Sequence, residues 1–120
     1  MPCSRRTSGV RAAVIAVSLS AAVTGIAGAQ DAALVKKGQD VYAAQKCSTC
    51  HAIAGKGGKQ SPLDGVGTKL SADDIRAWIV NPTEMTKKTS STKKPPMPNK
   101  YSKLPAADID ALVAYMQSLK

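Results

Sequence analysis

The sequence Cys47-Ser48-Thr49-Cys50-His51 constrains this chain more than any other feature. Its spacing is C-x-x-C-H, the pattern that attaches a c-type haem. Two thiols separated by two residues in a turn can each bond to one vinyl group of the same porphyrin. The imidazole of His51 can then supply a neutral nitrogen ligand to the iron. The motif therefore predicts one covalently attached haem c, held by Cys47 and Cys50, with His51 as an iron ligand.

Three other kinds of site use similar spacing. A thioredoxin-like redox pair would need a βαβ context, but the residues before Cys47 predict a helix. A structural zinc site would need four protein ligands, and no other Cys or His follows residue 30, so a carboxylate would have to complete it. A disulfide between Cys47 and Cys50 is the third alternative. The specificity of the five-residue motif favours haem over all three.

The beginning of the chain has the pattern of an export signal. A basic head carries Arg5, Arg6 and Arg11. Residues 12–29 are apolar and small, without a charge, and residues 27–29 read Ala-Gly-Ala, a typical cleavage site. We therefore expect residues 1–29 to be a secretory signal peptide and residues 30–120 to form one periplasmic domain without stable membrane insertion. A retained membrane anchor is the alternative, although the apolar run is short for one.

Export and the haem motif support each other. Removal of the signal peptide takes Cys3 away and leaves an even pair of thiols, which would tend to oxidise in an exported protein unless thioether bonds consumed them. It also leaves 14 basic residues against all eight acidic ones, a formal charge of +6. With no Phe and one Trp, the side chains alone would make a thin core. A buried macrocycle would supply the missing apolar surface.

Three helices are predicted after the signal. The first spans residues 32–46 with Asp31 as its N-cap, and the second spans residues 71–80, with Ser71 and Asp74 as its capping pair. The third spans residues 105–119. Its buried stripe consists of Ile109, Leu112, Val113 and Met116. No strand pattern is recognisable.

Two loops separate these helices. Residues 52–67 contain five glycines, which predict a loop over one face of the cofactor. Residues 83–104 show no periodicity and hold six lysines together with Pro95-Pro96-Met97-Pro98. A loop of this length in a small domain is usually functional or disordered, and a haem edge would give it something to surround.

Several motifs follow one another along residues 30–120: Gly38 and Tyr42, the Cys47–His51 motif, Pro62-Leu63-Asp64-Gly65-Val66-Gly67, Ile75-Arg76-Ala77-Trp78-Ile79-Val80-Asn81-Pro82, Pro96-Met97-Pro98, and Leu112-Val113-Ala114-Tyr115-Met116. In order and spacing they resemble those of the class I monohaem cytochromes c over essentially the whole of this stretch. The resemblance implies an all-α cytochrome c fold with three to four helices and long loops wrapped around one covalent haem. One departure is Ser61-Pro62-Leu63, where the family often has Gly before the Pro and one more residue after it.

The resemblance also implies roles for residues around the iron. The carbonyl of Pro62 is expected to accept the second ring proton of His51, although any loop carbonyl would serve. The indole of Trp78 is expected to hydrogen-bond a haem propionate, with simple core packing as the alternative. Because His51 is the only His, a second His ligand could come only from another molecule, which leaves Met, Lys, water or no ligand at the sixth position. We expect Met97, fixed between two prolines, to be the sixth ligand, in preference to Met85 near a helix end and Met116 in the core stripe.

A closed His/Met haem suits single-electron transfer and disfavours catalysis. The predicted function is a periplasmic electron carrier that is not an enzyme. The alternatives are a haem c subunit of a larger oxidoreductase or respiratory complex and, in last place, a peroxidase-like haem enzyme. Positive charge in residues 83–104 predicts redox partner proteins with acidic docking surfaces. Nucleic acid is not expected as a partner, because the protein is exported and lacks interleaved aromatic residues.

Overall fold

Helices make up nearly all of the regular structure of this chain. The computed structural model describes residues 26–120. Its elements in chain order are α1 (Ile26–Ala44), a 3-10 turn (Cys47–Thr49), β1 (Ala52–Ile53), β2 (Lys56–Gly57), α2 (Val66–Lys69), α3 (Ala72–Val80), α4 (Pro82–Thr89), a 3-10 helix (Asn99–Lys103) and α5 (Ala106–Ser118). The all-α class is confirmed, and α2 and α4 add to the three helices expected between residues 32 and 119. Most of the expected signal peptide, residues 1–25, lies outside the described residues.

Helix α1 begins earlier than predicted. It includes Asp31, which is therefore not an N-cap, because the Ala-rich residues before it continue the helix. The helix ends at Ala44, and Lys46 then adopts a left-handed conformation with φ 55° that turns the chain into the cysteine motif. In residues 26–120, no helix combines the length and the apolarity that crossing a membrane requires.

Helices α3 and α4 meet at Asn81-Pro82. The hydroxyl of Ser71 accepts a hydrogen bond from the amide of Asp74 at 3.1 Å, so the predicted cap of α3 is confirmed. The same Asn81-Pro82 step that ends α3 also starts α4, since Pro82 has the fixed φ of a first helical residue and the Asn81 side chain caps the Glu84 amide. The expectation of a loop without regular structure over residues 83–104 was therefore wrong at both ends, where α4 and the second 3-10 helix lie.

The prediction that the chain contains no strands was also wrong, since two short strands follow His51. Strands β1 and β2 form an antiparallel hairpin in which Ala52 pairs with Gly57 and Ile53 with Lys56. Both turn residues, Ala54 and Gly55, have positive φ, as a tight two-residue hairpin turn requires. Two-residue strands are too short to show the alternation of apolar and polar residues that predicts a strand.

Helix α5 supplies much of the core. The four residues of its predicted stripe are all buried, and they cluster with Val41, Ile75, Ile79 and Tyr101. The predicted stripe is therefore confirmed. Leu34 of α1 is not part of this core and is 36% exposed.

The first and last helices are in close contact. A Cβ atom added to Gly38 would overlap the carbonyl oxygen of Ala111 and lie 2.6 Å from Cβ of Tyr115. One turn further along α1, the ring of Tyr42 packs edge-on against Tyr115, with ring centroids 5.8 Å apart and planes at 80°. Glycine at position 38 is therefore needed for the two backbones to approach this closely.

Replacing Gly38 with Val should destabilise the protein by overpacking, on the order of 1–3 kcal/mol, because the added side chain would meet the main chain of Ala111 and the Cβ atom of Tyr115, neither of which can move aside without a backbone shift. Thermal or denaturant unfolding of the haem-loaded protein measures the loss. Ala43→Val is the matched control, since it places the same side chain at an exposed position of the same helix and should cost well under about 1 kcal/mol. Equal losses in the two variants would contradict the close helix contact.

Candidate functional site

A large cavity lies among the helices and the two loops. Its volume is about 850 Å³, at the upper end of the range typical of small-molecule and cofactor sites. Part of its wall is apolar and belongs to the core: Leu63, Val66, Leu70, Ile75, Ile79, Leu112 and Met116. Cys47, Cys50, His51, Trp78 and Met97 line the same cavity. The fold therefore brings all but one of the predicted site residues, Pro62, to a single apolar chamber.

The two cysteines are presented by the 3-10 turn. The amides of Cys50 and His51 both donate to the carbonyl of Cys47, at 3.2 and 3.0 Å, which holds the turn closed. Both thiols are free and half-buried. Burial raises the pKa of the Cys47 thiol, so this thiol is protonated at neutral pH. Two thiols on one turn at the wall of a cavity can bond to neighbouring positions of one bound molecule.

The ring of His51 is oriented by a hydrogen bond to a loop carbonyl. Its Nδ1 atom lies 2.8 Å from the carbonyl oxygen of Ser61. A carbonyl oxygen can only accept, so Nδ1 carries a proton, and in the neutral imidazole this leaves the lone pair on Nε2. This is the arrangement that prepares a neutral imidazole to bind a metal ion.

The expectation that Pro62 accepts this proton was wrong, since the acceptor is the preceding residue. The amide of Ser61 donates to Cys50 at 3.3 Å and that of Leu63 donates to Ala52 at 2.8 Å. Ser61 and Leu63 are thus both hydrogen-bonded to residues 50–52, and this pairing places the carbonyl oxygen of Ser61 within reach of the imidazole.

Met97 is the loop methionine at the cavity. It is half-buried between exposed Pro96 and Pro98. Two residues on, the side chain of Asn99 exchanges hydrogen bonds of 2.8 and 3.1 Å with the hydroxyl of Thr83, which ties the loop to the first turn of α4. The sulfur of Met97 is thus carried by a segment anchored near its end.

The other two methionines of residues 26–120 are core residues. Met85 is 7% exposed on α4, and Met116, on α5, is 6% exposed and packed in the apolar cluster, as expected.

A family model described as Cytochrome c matches residues 35–120. The chain belongs to the cytochrome c family. Searches of curated proteins and of solved structures gave no match. The family match confirms the resemblance seen in the sequence. It begins within α1 and covers all later elements of the fold.

Family membership implies a covalently attached haem c with iron, and the residues present fit it. Cys47 and Cys50 supply the two thiols, the apolar wall suits the faces of a porphyrin, and Nε2 of His51 is available to a metal. When bound, haem c supplies the iron that takes up and releases one electron. The chain is therefore a haem c electron-transfer protein of a family whose members are generally electron carriers.

The rival explanations of the motif are not supported by this geometry. Cys47 and Cys50 form no disulfide. Among residues 26–120, no three side chains of His, Cys, Asp or Glu group together in a way that could hold a metal ion, as a zinc site would need. The described strands form one short antiparallel hairpin, which is not the βαβ context of thioredoxins.

Trp78 of α3 lines the cavity and is half-buried. This position is compatible with a bond from its indole to a propionate and equally with packing against the macrocycle. The propionate bond stays a prediction.

Sequence reasoning missed the hairpin that supports the cysteine turn from behind. Gly58 donates its amide to Ser48 at 2.8 Å, and a Cβ on it would overlap the carbonyl oxygen of Thr49. A Cβ on Gly57 would likewise overlap the carbonyl oxygen of His51. The signal for this contact was the pair Gly57-Gly58 shortly after the motif.

Sequence reasoning also missed a hydrogen bond from Tyr42 to the turn that carries the cysteine motif. The hydroxyl of Tyr42 donates a hydrogen bond of 3.0 Å to the main-chain carbonyl of His51. Burial, followed by the nearby Cys47, raises the pKa of Tyr42 to about 12, so this hydroxyl is a donor at neutral pH. In the sequence, Tyr42 was recognised only as one of the residues that carry the family resemblance.

Proposed function

We propose that this cytochrome c is an exported, periplasmic carrier of single electrons in which His51 and Met97 are the axial ligands of the haem iron. The observation that carries the proposal is the prepared imidazole of His51 in the same cavity as Met97. The protonated Nδ1 atom leaves Nε2 for the iron, and its hydrogen bond to Ser61 increases the basicity of the ligand.

Met97 is the better sixth ligand of the three methionines. It lies in an anchored loop at the cavity, where the flanking prolines limit the entropy that ordering would cost. Met116 also lines the cavity, but its side chain is part of the α5 core. Using Met85 would require a buried residue to leave its place on α4.

Axial His and Met favour electron transfer over catalysis. A thioether ligand raises the reduction potential relative to more basic ligands, and it occupies the position that a peroxide or a gas would need. We therefore propose that the protein is not an enzyme. A role as the haem subunit of a larger complex would instead be indicated by co-purification with a partner.

Export is supported by the sequence before the domain. The basic head, the uncharged residues 12–29 and the Ala-Gly-Ala site make a secretory signal, and haem attachment would protect the two remaining thiols from oxidation.

An acidic partner surface is supported by the distribution of charge. Residues 85–107 carry six lysines and no acidic residue. All six are exposed: Lys87, Lys88, Lys93, Lys94, Lys100 and Lys103. Lys93 and Lys100 also line the haem cavity. Among the described residues, the salt bridges outside residues 85–107 pair Lys36 with Asp40, Lys37 with Asp108 and Arg76 with Asp110. Within residues 85–107, Lys87 pairs with Glu84, which lies just before this stretch. We call residues 85–107 the lysine segment and propose that it steers acidic redox partners to the haem.

Steering predicts a salt-dependent rate of electron transfer. Hexacyanoferrate(III), a small anionic oxidant, should oxidise the reduced protein more slowly as ionic strength rises, because the screening length falls to about 8 Å near 0.15 M salt. Changing Lys87, Lys88, Lys93 and Lys94 to Gln should lower the low-salt rate on the order of tenfold and flatten the salt dependence. Stopped-flow absorbance measures both.

The control for this experiment removes four charges outside the lysine segment, by changing Lys36, Lys37, Lys69 and Lys120 to Gln. This variant should keep most of the salt dependence, and both variants should keep the wild-type absorption spectrum. A rate that does not respond to salt, or an equal response of the two variants, would rule out steering by the lysine segment.

A further inference from the structure

A side chain of the first helix reaches the main chain of the residue proposed as iron ligand. The hydroxyl of Tyr42, on α1, donates to the carbonyl oxygen of His51 at 3.0 Å in a partly buried contact. The bond joins residues nine positions apart and connects the packing of the terminal helices to the turn that carries the haem ligands. Neither the attachment of haem nor the presence of the imidazole requires this hydrogen bond.

The main chain of His51 is held by two further contacts. Its amide donates to the carbonyl of Cys47 at 3.0 Å. Gly57 of the hairpin lies so close to its carbonyl oxygen that a Cβ would overlap this atom. The carbonyl is thus bounded by Tyr42 and by Gly57, and the only hydrogen bond described to this oxygen from a side chain is that of Tyr42.

Tyr42 can hold this carbonyl in place because its own ring is fixed. The ring packs edge-on against Tyr115 of α5 at 5.8 Å. The same two helices are in main-chain contact one turn away, at Gly38 and Ala111. The position of the hydroxyl is therefore set by the helix contact and not by a free rotamer.

We propose that Tyr42 is a positioning residue for the axial ligand: its hydroxyl fixes the main chain of His51 and thereby the orientation of the imidazole and its hydrogen bond to Ser61. The inference rests on the proposed function, because it takes His51 to be the ligand. If the carbonyl of His51 is released, the ring can rotate and the bond from Nδ1 to Ser61 opens more often. A weaker bond at Nδ1 makes the imidazole less basic, which favours ferrous iron.

The test compares two variants that each remove one hydroxyl from the same ring pair. Tyr42→Phe loses the bond to His51 and keeps the ring that packs on Tyr115, so the helix contact is retained. Tyr115→Phe is the control, since no hydrogen bond to His51 comes from its hydroxyl in the described structure. Both are studied as haem-loaded protein by nuclear magnetic resonance and by redox titration.

In Tyr42→Phe we expect the Nδ1 proton of His51 to exchange with water about fivefold faster, which corresponds to the loss of one net hydrogen bond. The hyperfine shifts of the haem methyl groups in the oxidised protein should also change, and the reduction potential should rise. Tyr115→Phe should match wild type in all three. This pattern could not come from a loss of packing, because both variants keep both rings.

Wild-type behaviour of Tyr42→Phe would overturn the proposal, and so would equal changes in the two variants, which would assign the effect to the ring pair. A failure of the underlying ligation is recognised separately. In that case the wild-type protein itself would lack hyperfine-shifted ring protons of His51, whatever the variants show.

Discussion

Replacing Cys47 and Cys50 together with Ser should give a protein that carries no covalent haem and does not fold. Both thioether bonds are lost, and the apolar wall that the macrocycle would cover is left around a void. An unfilled core cavity costs roughly 24 cal/mol per Å³, so leaving even part of the 850 Å³ empty would offset much of the stability of a small domain, which is about 5–15 kcal/mol. The core has no Phe with which to fill the space.

Intact mass of the exported protein and far-ultraviolet circular dichroism measure these two effects. The wild-type mass should exceed that of the processed chain by one haem, and the double variant should show the chain mass alone with a mostly unfolded spectrum. Ser48→Ala together with Thr49→Ala is the control, because it changes two residues of the same turn, keeps both thiols and the C-x-x-C-H spacing, and should leave both measurements unchanged. A double variant that keeps a covalently bound haem would refute attachment through this motif.

Replacing Met97 with Ala should open the sixth position of the iron. The oxidised protein should change from low spin to high spin, and the reduced protein should bind carbon monoxide readily. Loss of the thioether should also lower the reduction potential, by at least on the order of 0.1 V, because axial ligands move haem potentials over about 0.8 V. Absorption spectroscopy and redox titration measure both changes.

Two conservative variants serve as controls for Met97. Met85→Leu and Met116→Leu keep the volume of buried side chains and remove only the sulfur, so both should retain the wild-type spectrum. A normal spectrum in Met97→Ala together with an altered one in Met85→Leu would show that the sixth ligand is Met85 and not Met97.

The sequence predicted those parts of the fold that depend on local signals. Ser71 and Asp74 marked the start of α3, Pro105 marked the start of α5, and the apolar stripe of α5 was long enough to show its period. Helix α4 was missed because eight residues show too little periodicity, and because Asn81-Pro82 can both end one helix and begin another. The β hairpin has strands of two residues, which are shorter than any alternation can reveal.

For the site, the residues that react could be predicted, but their supporting contacts could not. The cysteine motif is recognisable from its spacing alone. In contrast, whether Ser61 or Pro62 accepts the Nδ1 proton of His51 depends on the register in which the loop pairs with residues 50–52. The bond from Tyr42 to His51 depends on how α1 docks against α5 and the turn. Both are consequences of tertiary packing, which no short segment of sequence encodes by itself.

The absorption spectrum of the purified protein in both oxidation states tests the central claim most directly. A His/Met haem c predicts sharp α and β bands in the reduced state and, in the oxidised state, a low-spin spectrum with the weak methionine-to-iron band near the red edge. A high-spin oxidised spectrum without that band would contradict ligation by Met97, and with it the account of this protein as a closed electron carrier.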